Sequence, residues 1–269
     1  MTMPIDVVLV RHGNSEGNAA NKRSRQGDDS AFTEDFLMRH SSSWRLTDKG
    51  KAQAEAAGAW IRENFDLPFD RYYTSEYLRA METAALLGLL NAKWYAEFYL
   101  RERDYGDLDV MTDSERKRRF KECLAKKSRN QLLWTPPNGE SIATLCLRVD
   151  RMLNTLHREC TDKRVIIVCH GDVIRAVRIR LERLSQREFK KMDESNDPYD
   201  FIHNGQILHY TRCNPATGVL APHVNWMRSI CPTDLSLSSN EWQKINRPKF
   251  SNEDLMEVVG QTPRLVNSK

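Results

Sequence analysis

Long apolar stretches are missing from the 269-residue sequence. No run approaches the roughly 18 consecutive apolar residues that a membrane-spanning helix needs. The first residues also lack the basic-then-apolar pattern of a signal peptide. We therefore expect a cytoplasmic protein with no membrane partner, and the length suits one large α/β domain, alone or with an appendage.

Paired cysteines are missing as well. The six cysteines are scattered, form no Cys-x-x-Cys pair and mostly lie in apolar segments. A reduced thiol packs in such a segment as a small apolar side chain, so we expect free thiols and no disulfide framework. These residues are Cys123, Cys146, Cys160, Cys169, Cys213 and Cys231.

The excess of charge is small. A formal net charge of +4 gives by itself no reason to expect nucleic acid or another polyanion as a partner. Basic residues nevertheless cluster over 116–129 and 175–187. Each cluster fits a solvated helix face or a surface that attracts an anionic substrate or nucleic acid, and nucleic acid is the less favoured partner.

Two short apolar segments end in a His-Gly pair. Residues 5–10 lead into Arg11-His12-Gly13, and residues 165–169 lead into His170-Gly171. Such runs are typical of central strands that are buried on both faces. Because ligands bind at the carboxyl ends of the strands in an open α/β sheet, we expect both histidines at one edge of the sheet.

Helical segments alternate with strands along the chain. Thr47 is a candidate N-cap for an alanine-rich helix that ends near residue 64, and apolar residues recur at helical spacing from Ile142 to Leu156. We expect further helices over 77–90 and 113–127, and further strands over 72–74, 94–99 and 206–211. This alternation indicates a three-layer α/β/α sandwich with a mostly parallel central sheet.

Two segments fit this alternation poorly. Residues 21–43 are polar and irregular, which favours a lid or surface loop. The last forty residues carry isolated apolar side chains, so we expect a domain over 1–229 and a C-terminal extension over 230–269 that packs on the domain or is partly disordered. The apolar residues of this extension are Trp242, Ile245, Phe250, Leu255 and Val258.

Several polar residues are suited to phosphoryl transfer, which needs a nucleophile, cationic donors and a proton source. His12 can attack as a neutral imidazole if a hydrogen bond holds its other ring nitrogen. Arg11, Arg79 and His170 supply charge and donors. Arg79 also lies one turn after Ser75, at the amino end of a predicted helix, where backbone N–H groups favour anions.

Five blocks of residues lie between about residues 5 and 210. The blocks are Arg11-His12-Gly13-x-Ser15-x-x-Asn18, Leu46-Thr47-x-x-Gly50, Ser75-x-x-x-Arg79-Ala80-x-x-Thr83, Leu100-x-Glu102 followed by Gly106, and His170-Gly171. In order and spacing they resemble the histidine phosphatase superfamily, whose fold is also called phosphoglycerate mutase-like.

The resemblance implies an enzyme that hydrolyses phosphate monoesters through a phosphohistidine, without a metal or another cofactor. It also implies a small phosphorylated metabolite or phosphate ester as substrate, and a homodimer is a possible assembly. A carboxyl group near a bound phosphate dianion has a raised pKa, which agrees with a proton-donating role for Glu102. The implied roles are His12 as nucleophile, Glu102 as general acid and base, Arg11, Arg79 and His170 as the phosphate pocket, and Asn18, Ser15, Tyr105 and the Gly171 N–H as further substrate-binding groups.

A phosphomutase of the same fold is the first alternative. Mutases of the family carry a lysine after the Glu102 block and a pair of arginines further on. Ungapped counting places Asp113 and Arg129-Asn130 at those positions, and both departures favour hydrolysis. The segment Glu102-Arg103-x-Tyr105-Gly106, however, resembles the mutase version of its block.

Two other classes of protein are less favoured. His170 and Asp172 suggest a metal-dependent phosphohydrolase, but such sites need several convergent ligands and the sequence shows no second His–Asp cluster. A non-catalytic protein that binds phosphorylated ligands would normally lack the nucleophile or an arginine, and this chain has both. The physiological substrate stays open among sugar phosphates, nucleotides, phosphoamino acids and phosphoproteins.

Overall fold

A seven-stranded sheet lies between two layers of helices in the computed structural model, which describes residues 2–66 and 68–266. The strands are β1 (Asp6–Arg11), β2 (Arg71–Thr74), β3 (Trp94–Ala96), β4 (Arg164–Cys169), β5 (Ile207–Thr211), β6 (Trp226–Ile230) and β7 (Ser239–Lys244). The helices are α1 (Glu16–Arg25), α2 (Glu34–Met38), α3 (Asp48–Asn64), α4 (Leu78–Leu86), α5 (Asp113–Arg119), α6 (Lys121–Lys127), α7 (Ile142–Glu159), α8 (Gly171–Glu182), α9 (Gln186–Glu194) and α10 (Asn252–Gly260).

The strand order is β3-β2-β4-β1-β5-β6-β7. The first four of these strands are parallel, whereas β5, β6 and β7 add in antiparallel pairs. The α/β/α architecture predicted from the sequence is therefore confirmed, with a sheet whose parallel half contains the two strands that precede the histidines.

Strand β1 is buried on both faces, as its apolar run predicts. Its residues from Val7 to Val10 are each at most 1% exposed. Because side chains alternate along a strand, Val7 and Leu9 join one apolar cluster with α7 and α8, and Val8 and Val10 join a second cluster with α3 and α4. The sheet thus separates two cores, and its central strands are held from both sides.

Side-chain caps start two of these helices, and the cap at Thr47 was predicted from the sequence. Thr47 is the N-cap of α3, and its hydroxyl oxygen accepts the Gly50 N–H at 3.2 Å. Ser141 caps α7 in the same way and accepts the Thr144 N–H at 2.9 Å. Side-chain oxygens at these positions satisfy N–H groups that have no partner within the helix. No helix in the described part of the chain is long and apolar enough to cross a membrane.

Several predicted elements have other bounds in the structure. The single helix expected over 113–127 is two helices, because Phe120 leaves the helical conformation with φ −120° and ψ 27°. The helix expected over 77–90 ends at Leu86, two residues before Gly88 adopts a positive φ of 60°. The strand expected over 94–99 ends at Ala96 and is followed by a 3₁₀ turn over 98–100.

The segment 21–43 is more regular than predicted. It contains the second half of α1, the short helix α2 and a 3₁₀ turn over 41–43. Helix α1 begins with a capping box in which Ser15 and Asn18 each bond the other's backbone N–H, and this pair starts the helix despite its polar composition. The irregular backbone expected over 21–43 is therefore wrong for α1 and α2, whereas most of the segment is exposed, as a surface loop would be.

The C-terminal extension contributes an edge strand to the sheet. Strand β7 pairs with β6, and the ring of Trp242 lies with its centroid 4.8 Å from that of His209. The guanidinium of Arg247 donates to the carbonyl oxygens of Leu181 and Val224. The boundary expected at residue 229 falls inside β6, so a boundary after Lys244 fits the sheet better. Helix α10 is exposed along its whole length.

Candidate active site

The two histidines meet at one edge of the sheet, as their sequence context predicts. Strands β1 and β4 are parallel neighbours in which Arg11 pairs with Cys169, so the residues that follow them emerge side by side. The rings of His12 and His170 lie 5.0 Å apart, inclined at 63°. Both are almost fully buried, at 2% and 0% exposure.

His12 is held in one tautomer. Its Nδ1 lies 2.7 Å from the carbonyl oxygen of Gly13, and only a protonated nitrogen can donate to a carbonyl. Its Nε2 therefore keeps a lone pair, which accepts a hydrogen bond from Nε of Arg79 at 3.2 Å. Burial, with the charges of Arg79 and Arg11, lowers the pKa of His12 well below its ordinary value. The imidazole is thus neutral and presents Nε2 to the pocket.

Arg79 is oriented by backbone rather than by a carboxylate. It is 5% exposed and lies in the first turn of α4. Its Nη1 donates to the carbonyl oxygen of Ser41 at 2.6 Å, and its Nε bonds His12. Among the described residues no hydrogen bond uses Nη2, which leaves this donor for a ligand. The contact with Ser41 shows that the segment 21–43 helps to build the site.

Two polar atoms at the centre of the site are buried without a hydrogen-bond partner among the described residues. They are Nε of Arg11 and Nδ1 of His170. Another nitrogen of each of these side chains already has a partner. Nη1 of Arg11 donates to the carbonyl of Ile202, and Nε2 of His170 lies 2.8 Å from the Ser75 hydroxyl. Buried polar atoms normally have partners. An anion between these residues would supply them.

Gly171 allows Arg11 to reach this position. A Cβ atom at Gly171 would lie 3.3 Å from Nε of Arg11, closer than most side-chain contacts. Gly171 is also the first residue of α8, whose N-cap His170 makes no capping hydrogen bond with its side chain. The N–H groups at this helix start and the helix dipole favour a bound anion.

Glu102 faces the two histidines. One ligand atom from each of His12, Glu102 and His170 lies within 4.8 Å of the others. Burial and the charge of Asp172 raise the pKa of Glu102 to about 7, against the opposing charges of Arg79 and Arg11. At neutral pH the carboxyl group is therefore divided between its protonated and ionised forms.

This set of three residues could also coordinate a metal ion by distance alone. The surrounding charges argue for an anion, because the buried guanidinium of Arg79 bonds His12 and the charge of Arg11 acts on the same imidazole. Two cations beside the ligand atoms would repel a divalent ion. The same cations would attract phosphate.

The Ser15 and Asn18 side chains belong to the start of α1. The Ser15 hydroxyl accepts the Asn18 N–H at 3.3 Å and is 1% exposed, so it supports the loop after His12. Asn18 Oδ1 accepts from the Ser15 N–H and from Nδ2 of Asn204, at 3.2 and 3.1 Å. This arrangement leaves the Asn18 amino group available to a ligand, while a direct contact between Ser15 and substrate stays a prediction.

Tyr105 lies beside the site with its hydroxyl already engaged. The hydroxyl donates to Oδ2 of Asp172 at 2.7 Å. Burial and the Asp172 charge raise the pKa of Tyr105 well above its ordinary value, so this donor stays protonated. Contact with substrate, as the resemblance implies for Tyr105, stays a prediction.

Three groups contribute more to the site than the sequence predicts. Asn204 donates Nδ2 to the carbonyl of His12 at 3.0 Å, although its place before Gly205 is explained by a turn alone. The carbonyl oxygen of Ser41 orients Arg79 and carries no sequence signal. The sequence suggests Asp172 only as a metal ligand, yet its carboxylate accepts a hydrogen bond from the Tyr105 hydroxyl.

Comparison with known proteins identifies the same family that the sequence blocks resemble. Residues 7–198 match the family model described as histidine phosphatase superfamily (branch 1). The 2,3-bisphosphoglycerate-dependent phosphoglycerate mutase of Azorhizobium caulinodans is 33% identical over 199 residues, which are 70% of this chain and 86% of the relative. The corresponding mutase 2 of Gloeobacter violaceus is 28% identical over 237 residues, covering 83% of this chain and 97% of the relative.

Solved structures with a similar fold include phosphatases. The α-ribazole phosphatase of Shigella flexneri superimposes with a TM-score of 0.60 at 20% identity, covering 81% of this chain and 96% of that chain. A mycobacterial glucosyl-3-phosphoglycerate phosphatase in complex with VO3 gives 0.59 at 20% identity, covering 76% and 92%. The sequence match, the shared fold and the paired histidines agree: the chain belongs to the histidine phosphatase superfamily.

Proposed function

We propose that the protein hydrolyses phosphate monoesters by way of a phosphohistidine on His12. The observation that carries the proposal is the fixed tautomer of His12, whose Nε2 lone pair faces the guanidinium of Arg79. The neutral imidazole of His12, as nucleophile, thus lies within hydrogen-bond distance of the Arg79 guanidinium, the cation that would bind the transferred phosphoryl group. A substrate phosphate would take over the hydrogen bond that Arg79 now gives to His12.

The first step forms the phosphohistidine. Nε2 of His12 attacks phosphorus, and the bond from phosphorus to the ester oxygen breaks. Arg11, Arg79 and His170 stabilise the charge on the three equatorial oxygens, with Nε of Arg11 and Nδ1 of His170 gaining the partners that they lack. Protonated Glu102 donates its proton to the leaving alkoxide.

The second step releases phosphate. The Glu102 carboxylate takes a proton from water, whose oxygen attacks phosphorus while the N–P bond breaks. His12 returns to its neutral form and Glu102 to its protonated form, so the cycle is closed. The pKa of about 7 suits Glu102 to both directions of proton transfer, and a bound phosphate dianion would raise this pKa further.

A phosphomutase is the second candidate, favoured by Arg116 and by the names of the curated relatives. At the counted lysine position, Asp113 starts α5 and pairs with Lys117 at 2.6 Å. One turn later, the partly buried Arg116 donates to the Leu108 carbonyl and to Oδ1 of Asn21, both at 2.9 Å. Arg116 therefore supplies a cation beside Leu108, in the chain segment that follows Glu102, and a mutase needs such a cation for the second charged group of its substrate.

The deciding experiment measures both reactions in one preparation. Purified protein with EDTA is assayed for phosphate release over a panel of sugar, nucleotide, amino-acid and peptide phosphates, with His12→Ala as control. A parallel assay supplies 3-phosphoglycerate with a 2,3-bisphosphoglycerate primer and follows 2-phosphoglycerate and phosphate together.

The proposal expects phosphate release that survives chelation and is absent from His12→Ala. Interconversion far faster than phosphate release would favour the mutase. Activity lost with EDTA and restored by Mg²⁺ or Zn²⁺ would contradict metal independence, and an absence of turnover on every ester would favour a non-catalytic binding protein.

A further inference from the structure

The carboxylate of Asp172 links the start of α8 to the segment that carries Glu102. Asp172 lies in the first turn of α8, two residues after His170. Its Oδ2 accepts the hydroxyl hydrogen of Tyr105 at 2.7 Å and lies 3.7 Å from Nη1 of Arg103. Arg103 directly follows Glu102, so Asp172 contacts two residues of the short segment that carries the proposed proton donor.

The ion pair between Asp172 and Arg103 is buried, and further hydrogen bonds hold Arg103. The side chains of Arg103 and Asp172 are 1% and 13% exposed. Arg103 also donates to the carbonyl oxygens of Glu140 and Trp134, at 2.7 and 3.1 Å. Hydrogen bonds and ion pairs are stronger in such a poorly solvated place than in water. Arg103 therefore has one orientation, and its neighbour Glu102 has little freedom to move away.

The other oxygen of Asp172 faces a second arginine. Oδ1 lies 3.8 Å from Nη1 of Arg175, whose Nη2 forms a shorter ion pair with Asp193 at 2.6 Å. Asp193 thus belongs to the same charge cluster but forms no hydrogen bond or ion pair with Arg103 or Tyr105 among the described residues. It offers a matched control, because replacing it disturbs Arg175 and leaves the contacts to the Glu102 segment in place.

We propose that Asp172 is a positioning residue for Glu102. By holding Arg103 and Tyr105, its carboxylate ties the segment 102–105 to the amino end of α8, where phosphate binds. The carboxyl group of Glu102 is then fixed at the side of the phosphate from which the ester oxygen leaves. This role rests on the proposed function, since it matters only if Glu102 protonates a leaving group.

The negative charge of Asp172 favours the protonated form of Glu102, and thus supports the same proton-donating role as its contacts with Arg103 and Tyr105. It raises the pKa of Glu102, together with burial, whereas the charges of Arg79 and Arg11 lower it. The other titratable groups around Glu102 are His12, His170, Tyr77, Tyr105 and Cys169. Loss of the Asp172 charge would therefore move the proton loss of Glu102 to lower pH, in addition to loosening its position.

The test is a leaving-group series on four proteins: wild type, Asp172→Asn, Tyr105→Phe and Asp193→Asn. A misplaced proton donor should slow esters with poor leaving groups most. We expect Asp172→Asn to lose about 10- to 100-fold in kcat/KM on alkyl phosphates and only a few-fold on aryl phosphates with acidic phenols, because kcat/KM reports formation of the phosphohistidine and not its hydrolysis. Tyr105→Phe should change in the same sense by less, and Asp193→Asn should stay within about twofold of wild type.

A second readout is the pH dependence on an alkyl ester. The alkaline limb of kcat/KM should move to lower pH in Asp172→Asn and stay in place in Asp193→Asn. A purely structural role would lower kcat/KM equally on both ester classes and leave the limb in place, and that result would overturn the proposal. If Asp172→Asn does not fold, as judged by circular dichroism, an unchanged leaving-group dependence in Tyr105→Phe overturns it in the same way.

Failure of this inference can be told apart from failure of the proposed function. Glu102→Gln is measured on the same esters. If Glu102→Gln loses more on alkyl than on aryl esters but Asp172→Asn and Tyr105→Phe do not, the positioning role fails and the proton donor stands. If Glu102→Gln shows no such difference, the proton-donor role itself fails.

Discussion

At the scale of single residues, the proposed mechanism requires opposite protonation states of His12 and Glu102 at neutral pH. The proposed nucleophile must have lost a proton and the proposed acid must keep one. Burial supplies both conditions, because removing water disfavours the charged form of each group. It lowers the pKa of His12 well below its ordinary value and raises that of Glu102 to about 7.

The pH dependence of turnover follows from these two shifts. For an alkyl phosphate, kcat/KM should fall as pH rises through about 7, since Glu102 then loses the proton that it donates in the proposed mechanism. His12 stays neutral across this range and adds no limb. Glu102→Gln should lose most of its activity on the alkyl ester and show no such limb. A limb that persists unchanged in Glu102→Gln would assign it to another group.

The raised pKa of Glu102 also affects stability. Its folded pKa, about 7, lies above the ordinary value of 4.5, so the folded protein binds this proton more tightly than the unfolded chain. Glu102 therefore destabilises the fold increasingly as pH rises from 4.5 to 7, and by a constant amount above that range.

Glu102→Gln, which does not titrate, should be more stable than wild type at pH 8 by up to about 3 kcal/mol, since one pKa unit is worth about 1.4 kcal/mol. The difference between the two proteins should shrink toward pH 4. Urea unfolding at both pH values measures the free energy of unfolding. An equal difference at pH 4 and pH 8 would show that the substitution acts through packing.

At the scale of elements, the loop after β1 and the start of α3 approach each other closely. A Cβ atom at Gly13 would lie 2.1 Å from the Gly50 carbonyl oxygen, and one at Gly50 would lie 2.0 Å from the Asn14 carbonyl oxygen. Neither gap can hold a side chain. The two glycines of the sequence blocks thus bring α3 against the loop that orients His12.

Gly50→Ala should therefore destabilise the protein by about 3 kcal/mol, at the upper end of typical overpacking costs. Gly260, where an added Cβ meets nothing within 4 Å among the described residues, provides the control. Gly260→Ala should change the free energy of unfolding by less than about 0.5 kcal/mol. Thermal or urea unfolding of both variants checks this, and similar effects at the two positions would contradict the close approach.

At the scale of the whole molecule, the residues of the site lie within the part of the chain that forms the sheet and its two helix layers. Every residue of α10 is exposed, whereas Arg247 bonds the carbonyl oxygens of Leu181 and Val224. A chain that ends after Pro248 should thus keep its kcat/KM and its Tm. Loss of either would show that the last residues support the fold or the site. Sedimentation of the full chain tests whether it forms a homodimer, the possible assembly named above.

The sequence predicts the centre of this molecule better than its periphery. Apolar runs identify β1 and β4, and the two His-Gly pairs locate the site, because a strand buried on both faces must be apolar throughout. The contacts of Ser41 and Asn204 were not predicted, since a backbone carbonyl has no side-chain signal and Asn204 lies 192 residues from His12. The break between α5 and α6 at Phe120 was not predicted either, because no glycine or proline lies near it in the sequence.

The phosphoenzyme tests the central claim most directly. Protein mixed with a phosphate ester is quenched in acid or in alkali, digested and analysed by mass spectrometry, with His12→Ala as control. A phosphoramidate is labile in acid and stable in alkali, so the account predicts phosphate on the His12 peptide after the alkaline quench alone, and none in the variant. Phosphate that survives acid, or that lies on a residue other than His12, would contradict it.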